Sequence, residues 1–427
     1  MRARFAAAVA LTLVVGGLAA EGGHGAPGIQ PLPQSFCAPV VHGSSRPQLL
    51  IVSDFPLRFF TFKQKTLQFD AALRYELELR HFRAGRYAVG YQACDDSSPQ
   101  SGNGALARCA ANAKAYAQDP SVIGVVGTWN STCAKDELPT LNRAPHGPLV
   151  LVSPTNTNTG LTHAGGGTAP NEPGVYYPTG TRSFARIISP DDAEGVAEAL
   201  LTEKLGAHRV FVLDDGESFG LDVATAFRRT LRRIGLLLAG AASWSPDQTS
   251  FDALAAQVAA SGADAVYLGG FECPSCADLV KELRAKLGAG RPIIVPDGFS
   301  PVDMAQADGA SADGLYASVP GLPTSSLPAP GRRIERMFGP PRLGSGGPSY
   351  VAQAVAVLLD AIGASNGTRA SVTGHVLSAN VHDGIVGSFR FDRNGDPTYN
   401  PIMIFRVAGG GHVHFDRVID VPPNLMP

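Results

Sequence analysis

The sequence predicts an α/β protein of two lobes, each with a parallel β-sheet covered by helices. Its 427 residues exceed one ordinary domain and suit two. Short apolar runs alternate with segments of helical periodicity, and this alternation restarts near Phe184. Hydrophobic residues make up 44% of the chain, which is enough for a large buried core.

The first half of the chain alternates β-branched runs with amphipathic segments, as expected for parallel strands joined by helical crossovers. The predicted strands are 48–53, 87–91, 122–126 and 149–152, and the predicted helices are 65–83, 104–117 and 135–141. Residues 163–182 are rich in Gly, Pro and Tyr without periodicity, so we expect a long loop there.

The second half repeats the pattern after a helix that Asp191 or Asp192 can cap. Strands are predicted at 210–213, 265–268, 293–295 and 314–319, with helices at 221–234, 251–261 and 277–287 and a further segment, left unassigned, around 241–244. A Pro/Ser linker then leads to helices over 332–338 and 349–364. Residues 387–396 and 401–407 are expected to form a hairpin, because Asn394-Gly395 favours a tight turn.

The N-terminus has the pattern of an export signal. Arg2 and Arg4 precede a short apolar run and then small residues, so residues 1–20 are predicted to be a cleaved signal peptide. Residues 21–46 are rich in Gly, Pro and Ser and are expected to be a disordered leader. The sequence therefore predicts a protein exported to the periplasm or the extracellular space, without a lipid anchor.

Charge and composition restrict the partners. Charged residues are 17% of the chain and the formal net charge is −2, which excludes the basic footprint of a nucleic-acid-binding protein. We expect a monomer without a cofactor or metal. The sequence Cys273-Pro-Ser-Cys276 lacks the second half of a zinc site.

The six cysteines of an exported chain are expected to form disulfides. A local bridge within the Cys-x-x-Cys sequence is the simplest pairing there. The loops after two predicted strands could bring two more cysteines together, which leaves a possible third pair. These candidate pairs are Cys273 with Cys276, Cys94 with Cys133, and Cys37 with Cys109, and the sequence does not fix the connectivity.

Two predicted strands, 122–126 and 149–152, run directly into loops rich in Ser, Thr and Asn. In an open α/β sheet, ligands bind beyond the carboxyl ends of strands, where loops and helix N-termini present free N–H groups and hydroxyls. The pattern favours a recess for a small anionic or zwitterionic ligand. The alternative is that these residues only cap helices.

A different pattern suggests an enzyme. Residues 216–220 match G-x-S-x-G between a predicted strand and a helix, as in a nucleophile elbow with Ser218. Asp383 and either His412 or His414 would complete a serine-hydrolase triad. Two aspartates directly before the motif oppose this interpretation, because they would repel a developing oxyanion. The structural alternative is a tight strand-to-helix turn.

Several segments, in order from 47 to 407, resemble the exported leucine/isoleucine/valine-type amino-acid-binding proteins. These are the substrate receptors of ABC importers, with the type I periplasmic-binding fold. The first matching segment reads Val-Gly-Thr-Trp-Asn-Ser-Thr. The matching segments are 126–132, 153–158, 186–195, 212–220, 266–271, 296–299 and 387–396.

The resemblance implies two lobes joined by a three-crossing hinge and closing on a ligand. The implied boundaries are 47–189 plus 321–386 for the first lobe and 190–320 plus 387–427 for the second. The implied function is non-enzymatic: capture of a small ligand, an amino acid in the first instance, and its delivery to an ABC importer. A ligand sensor for a signalling partner is the alternative, ahead of a hydrolase.

The resemblance also implies the binding residues. Ser131, Thr155 and Thr157 correspond to the first-lobe cradle for the ligand's α-carboxylate and α-ammonium, which hydroxyls and loop N–H groups can bind. Phe219 and Phe271 would face them from the second lobe. The alternative for these two aromatic residues is the hydrophobic core.

Two more residues complete the predicted site. Asp297 follows a predicted strand and could pair with an ammonium group in a closed cleft, or could simply occupy a turn. Trp129 stands where the resembled family carries a smaller side chain. Its indole would shrink the pocket or stack on an aromatic ligand, so the ligand could also be an amide or an aromatic acid.

Overall fold

The first lobe is built on a seven-stranded sheet in the order β1-β4-β2-β5-β6-β7, with β3 paired to β4. The computed structural model describes residues 29–59, 63–97, 106–245, 247–288, 290–339 and 347–426. The elements are β1 (Val41–His42), β2 (Leu49–Phe55), α1 (Lys63–Leu79), β3 (Arg83–Ala84), β4 (Tyr87–Asp95), α2 (Leu106–Gln118), β5 (Val122–Gly127), α3 (Ser131–Asn142), β6 (Leu151–Ser153) and β7 (Phe184–Arg186).

The central strands β2, β4, β5, β6 and β7 are parallel, and β1 and β3 pair with β4 antiparallel. Every residue of β5 is buried, as expected for a strand that is covered on both faces. Phe69 and Leu358 belong to the core cluster on one face, and Tyr116 and Leu138 to the cluster on the other.

The second lobe has a sheet in the order β16-β15-β12-β11-β10-β8-β9. Two of these strands, β15 (Pro401–Ala408) and β16 (His412–Asp420), come from the end of the chain. The strands β8 to β12 are parallel to their neighbours, and β15 and β16 extend the sheet antiparallel from β12. The first ten elements are α4 (Asp191–Lys204), β8 (Arg209–Asp214), α5 (Ser218–Ile234), β9 (Leu237–Ser243), α6 (Asp252–Ala260), β10 (Ala265–Gly269), α7 (Cys276–Leu287), β11 (Ile293–Val295), α8 (Pro301–Asp308) and β12 (Leu315–Pro320).

The chain then returns to the first lobe and leaves it again. The remaining elements are α9 (Ala329–Phe338), α10 (Pro348–Ala364), α11 (Arg369–Leu377), β13 (Asn380–Gly384), β14 (Gly387–Arg390), β15 (Pro401–Ala408) and β16 (His412–Asp420). Residues of α9 to α11 join the first-lobe core, whereas β15 joins the second sheet. The chain therefore passes between the lobes three times, and the predicted fold class is confirmed.

The predicted lobe boundaries remain a prediction, although two features bear on the third crossing. Phe389 and Phe391 pack in the core cluster of the first lobe. The next residues of the second sheet begin at Pro401. A turn over 392–396 lies between them, and it contributes to an ion-pair cluster considered in the Discussion.

The predicted hairpin of 387–396 with 401–407 is wrong. β14 pairs with β13, and β15 pairs with β12 and β16, so the two segments belong to different sheets. A turn at Asn394-Gly395 does form, with a single bridge between Phe391 and Pro397. The turn signal was correct locally, but the turn reverses the chain without a ladder because the strands on either side of it pair within different sheets.

The expectation of a disordered leader is wrong for residues 29–46. Leu32 is buried, and the side-chain amide of Gln92 bonds to both its backbone N–H and its carbonyl. Val41 pairs with Tyr91 at the sheet edge. The segment therefore forms part of the first lobe, and residues 1–28, including the predicted signal peptide, lie outside the described part of the chain.

The disulfides differ from two of the candidate pairings. The Cys273–Cys276 bridge is confirmed, but Cys94 pairs with Cys37 and Cys133 pairs with Cys109. Cys37 lies beside β4 because the N-terminal segment is ordered. Cys109 and Cys133 lie on α2 and α3, which pack against each other. The packing of α2 on α3 brings these two cysteines together, whereas the prediction considered only the loops that follow the strands.

The loop over 163–182 contacts both lobes. Glu172 accepts from Lys135 of α3 at 2.9 Å, and Gly167 accepts from the Ser218 hydroxyl of α5 at 2.9 Å. A Cβ at Gly167 would lie 1.9 Å from the Ser218 carbonyl oxygen, so glycine is required for this approach. In the part of the chain that the structure describes, no helix is long and apolar enough to cross a membrane.

Candidate functional site

The loop after β5 positions Trp129 and connects it to Thr155. The Thr155 hydroxyl lies 2.8 Å from the Trp129 carbonyl oxygen and 3.0 Å from that of Thr128, so it donates to one of them. Asn130 then caps α3, because its side chain accepts from the Cys133 N–H at 3.1 Å. The predicted hydroxyl of Thr155 therefore fixes the loop that carries the indole.

Ser131 and Thr157 are connected through the following residue. The Ser131 hydroxyl accepts from the Asn158 N–H at 3.2 Å, and the Thr157 carbonyl accepts from the Asp191 N–H at 2.9 Å. The Thr157 side chain opposes the effect of burial on the pKa of the Asp191 carboxyl group. Because Asp191 begins α4, Thr157 lies where the first lobe meets the second.

The second lobe presents two aromatic rings. The ring centroids of Phe219 and Phe271 are 4.6 Å apart. Phe271 is 54% exposed and Phe219 is half-buried, which excludes the fully buried core position for both. A Cβ at Gly298 would lie 2.7 Å from Phe219 Cε1 and 3.1 Å from Phe271 Cδ1, so glycine lets the rings lie against the loop of Asp297.

Asp297 connects the second lobe with the first. Its backbone N–H donates to Glu194 Oε1 at 2.9 Å, which fixes the loop on α4. Its carboxylate interacts electrostatically with Lys65 of α1 and with Asp191. Lys65 Nζ in turn lies 4.5 Å from the centroid of the Trp129 ring. The contacts thus place all seven predicted residues around one junction between the lobes, and their roles remain predictions.

The floor of this junction is acidic. Burial, with the charges of Asp222 and Asp297, raises the pKa of Asp191 well above its usual range. Burial also raises the pKa of Glu194, and the charge of Asp297 adds to the effect. Asp191 Oδ1 and Glu194 Oε2 have no hydrogen-bond partner among the described residues. Such a group of carboxyls favours a cationic ligand group.

Sequence reasoning missed Lys65 and Asp191 as site residues. Lys65 was read only as the start of a helix, and Asp191 only as a cap. An available signal was the position of Lys63 and Lys65 close after the aromatic segment 55–62, where cations adjoin an apolar stretch. For Asp191, the signal was a carboxylate at the start of the helix that follows the first crossing.

The hydrolase pattern is not assembled. Ser218 begins α5 and donates its hydroxyl to the Gly167 carbonyl, and no described histidine bonds to it. Asp383 lies in β13, which pairs with β14 in a separate two-stranded sheet. His412 and His414 lie on β16, at the edge of the second-lobe sheet. The turn interpretation of 216–220 explains the glycines instead.

In two groups of described side chains, atoms that could act as metal ligands lie within 4.8 Å of one another. They combine Asp54 and Glu137 with Cys133, and Asp96 with Cys109 and Cys133. The cysteines are bridged to each other, so their sulfurs are not thiolate ligands. Only carboxyl oxygens remain.

Two cavities lie away from the predicted site. One of about 670 Å³ is lined by α1, α10, α11 and β13, and includes Arg80 and His375. Another of about 430 Å³ is lined by the turn over 392–396 and by the C-terminal segment. Neither includes a predicted site residue.

With this geometry in view, comparison with known proteins identifies the family. The sequence pattern of the family described as "Periplasmic binding protein" matches residues 85–412, most of the chain. The chain belongs to this periplasmic binding protein family. The family consists of solute-binding proteins, so the resemblance predicted from the sequence is confirmed.

Two curated relatives from Pseudomonas aeruginosa match part of the chain. An "Amino acid binding protein" is 26% identical over 163 residues, which is 38% of this chain. A "Leucine-, isoleucine-, valine-, threonine-, and alanine-binding protein" is 24% identical over 142 residues, which is 33% of this chain. Each match spans 38% of the relative's own length.

Solved structures show the same fold over a larger share. A leucine-binding protein LivK from Thermotoga maritima is 18% identical with a TM-score of 0.65, covering 88% of this chain and 100% of that one. LivJ from Streptococcus pneumoniae, bound to isoleucine, has a TM-score of 0.63 at 16% identity, covering 87% and 99%. A solute-binding protein from R. palustris bound to 4-hydroxybenzoate has the same TM-score and identity, covering 88% and 98%.

Proposed function

We propose that this protein is an exported solute-binding protein that captures an amino acid between its lobes and delivers it to an ABC importer. The observation that carries the proposal is the junction at Asp297, where the second-lobe carboxylate interacts with Lys65 beside Trp129 and with Asp191 beside Thr157. The N-terminus of α3 and the hydroxyl loops suit a carboxylate, and the acidic floor suits an ammonium group.

The mechanism follows from the division of these groups. A ligand held by first-lobe loops would gain contacts with Phe219, Phe271 and Asp297 only when the lobes approach. Binding would therefore shift the population toward the closed state, by as much as the ligand's affinity differs between the states. A closed receptor could then be distinguished from an empty one by its membrane partner.

A second ligand class is favoured by a specific observation. Trp129 and the Phe219–Phe271 pair provide aromatic surface on both lobes, and the R. palustris proteins of the same fold are bound to 4-hydroxybenzoate and benzoate. An aromatic acid could stack there. The acidic floor argues for the amino acid, because a benzoate has no ammonium group to offset it.

The test is calorimetric titration of the mature chain, refolded to remove any carried-over ligand, against the proteinogenic amino acids. We expect one group of amino acids to bind, and Thr157→Ala and Asp297→Ala to weaken that binding about ten- to a hundredfold by removing bonds to charged groups. Thr249→Ala and Asp278→Ala remove the same groups from exposed positions elsewhere and should leave affinity unchanged. Absence of heat with every amino acid would contradict the proposal.

A further inference from the structure

Lys65 lies in the interlobe junction, where it forms no ion pair with any residue that the structure describes. Its Nζ lies over Trp129, whose ring packs on Phe69 with centroids 5.3 Å apart. Among the described residues, no carboxylate lies within ion-pair distance of this ammonium group, and no acceptor receives a hydrogen bond from it. Lys65 is half-buried, so its tip retains access to the space between the lobes.

Two carboxyls act on Lys65 through their charges, those of Asp297 and Glu335. Glu335 is buried, and its Oε1 accepts from both the backbone N–H and the hydroxyl of Ser349, at 2.9 and 2.5 Å. The backbone N–H of Asp297 donates to Glu194, and the Asp297 carboxylate acts on Lys65 through its charge from beyond ion-pair distance. Neither provides the direct partner that an ammonium group removed from water requires.

Burial of the Lys65 ammonium group makes its protonated form less stable. Burial lowers the pKa of Lys65 to about 8, although the charges of Asp297 and Glu335 act in the opposite direction. A cation held on an aromatic face beside a predicted ligand loop would be stabilised by an anion entering from the cleft. The opposite end of the junction, at Asp191, carries carboxyls with an unpartnered oxygen and attracts a cation.

We infer that Lys65 binds a second anionic group of the ligand, so that the ligand is an acidic amino acid. Its ammonium group would lie toward Asp191 and Asp297, its α-carboxylate at the first-lobe loops, and its side-chain carboxylate on Lys65. This inference rests on the proposed function and restricts it to one substrate class. It makes Lys65 a specificity-determining residue, since a neutral side chain would leave the ammonium group unpaired.

The competing explanation is that Lys65 only attracts Asp297 when the lobes close. Such a latch would strengthen the binding of every ligand equally, whereas recognition strengthens only the anionic one. L-Glutamate and L-glutamine separate these cases, because they have the same shape and differ in side-chain charge. L-Leucine tests an apolar side chain of similar size.

The experiment is calorimetry of the refolded mature chain and its Lys65→Met variant with L-glutamate, L-aspartate, L-glutamine, L-leucine and 4-hydroxybenzoate. We expect L-glutamate or L-aspartate to bind the unmodified protein at least tenfold more tightly than L-glutamine. Lys65→Met should weaken the acidic ligand about ten- to a hundredfold and L-glutamine less than threefold. Lys63→Met, the same change at an exposed position of α1, should alter neither.

Several results would overturn the inference. Tight L-leucine binding without L-glutamate binding would do so while leaving the proposed function intact. Equal weakening of L-glutamine and L-glutamate by Lys65→Met would assign Lys65 to lobe closure. Binding of 4-hydroxybenzoate alone, or of no compound, would contradict both the inference and the amino-acid function. Thermal unfolding of each variant identifies misfolding, and Lys65→Gln replaces Lys65→Met if that variant does not fold.

Discussion

This protein has two groups of buried ionisable side chains that differ in their partners. In one group carboxylates pair with cations, and in the other carboxyls lie beside each other. Near the hinge, Arg186 is 0% exposed and its Nε lies 2.6 Å from Asp396 Oδ1. The ring of His163 lies 3.2 Å from Asp396 and 3.0 Å from Asp192. Below α2 and α3, Asp54, Asp96 and Glu137 are also buried, but no described cation pairs with them.

The pKa values move in the directions that these partners dictate. At the hinge, burial opposes ionisation, but Arg186 and His163 lower the pKa of Asp396 to about 2. The hydrogen bonds and charges of Asp192 and Asp396 overcome burial and raise the pKa of His163 to about 10. In the second group, burial raises the pKa of Asp54 to about 6. A buried carboxyl is thus stabilised or destabilised by its partners.

The hinge cluster also joins parts of the chain that lie far apart in sequence. Arg186 ends β7, Asp192 lies in the first turn of α4, and Asp396 lies in the turn of the third crossing. The Arg186 guanidinium also donates to the carbonyls of Asn156 and Asn158, at 3.0 Å each, and to the Thr162 hydroxyl at 2.6 Å. The cluster therefore holds the first and third crossings together beside the proposed ligand loop.

The largest expected effect comes from breaking the hinge cluster. Arg186→Met should lower the free energy of unfolding by about 3–5 kcal/mol, because Asp396 and two carbonyls would lose their main buried partner. Urea denaturation followed by circular dichroism measures the change. Arg393→Met removes an exposed arginine from the same turn and should cost less than about 0.5 kcal/mol. Equal losses in the two variants would contradict this account of the cluster.

A smaller and opposite effect is expected in the acidic group. Because the pKa of Asp54 is raised in the folded state, protonation of Asp54 favours folding. This stabilisation is fully present below pH 3.8 and is lost as the pH rises through about 6. Asp54→Asn removes that ionisation and retains an oxygen for Asn112, which donates to Asp54 Oδ1 at 2.9 Å. We expect a gain of about 1–3 kcal/mol at pH 8 and almost none at pH 4.

Urea denaturation at the two pH values checks the second prediction. Asp278→Asn changes an exposed aspartate on α7 and should show no such pH dependence. A loss of stability for Asp54→Asn at pH 8 would mean that the ionised carboxylate has a stabilising partner. In that case the contrast between the two groups would not hold.

The comparison also separates what the sequence could predict from what it could not. Local signals located the buried parallel strands β2, β4, β5 and β6, because strands such as β5 are continuous apolar runs. The same reasoning indicated the Ser-, Thr- and Asn-rich loops at the ends of two strands, and the family resemblance then named Ser131, Thr155 and Thr157 within them, whose roles stay a prediction. The chain's membership of a family with a known order of motifs supplied the second-lobe residues.

Long-range partners were not readable. Arg186 and Asp396 are 210 residues apart, and nothing in their local sequence indicates a buried ion pair. Cys37 was assigned to a disordered leader on composition alone, yet its bridge to Cys94 lies at the sheet edge. Lys65 was hidden for the same reason, because its burial results from the approach of Trp129 and the second lobe.

Ligand-dependent closure is the central claim, and small-angle X-ray scattering tests it most directly. The refolded mature chain would be measured alone and with a saturating concentration of the amino acid that binds it in calorimetry. The account predicts a smaller radius of gyration with ligand, because Phe271 and Asp297 approach the first-lobe loops. An unchanged radius of gyration with ligand bound would contradict capture between the lobes.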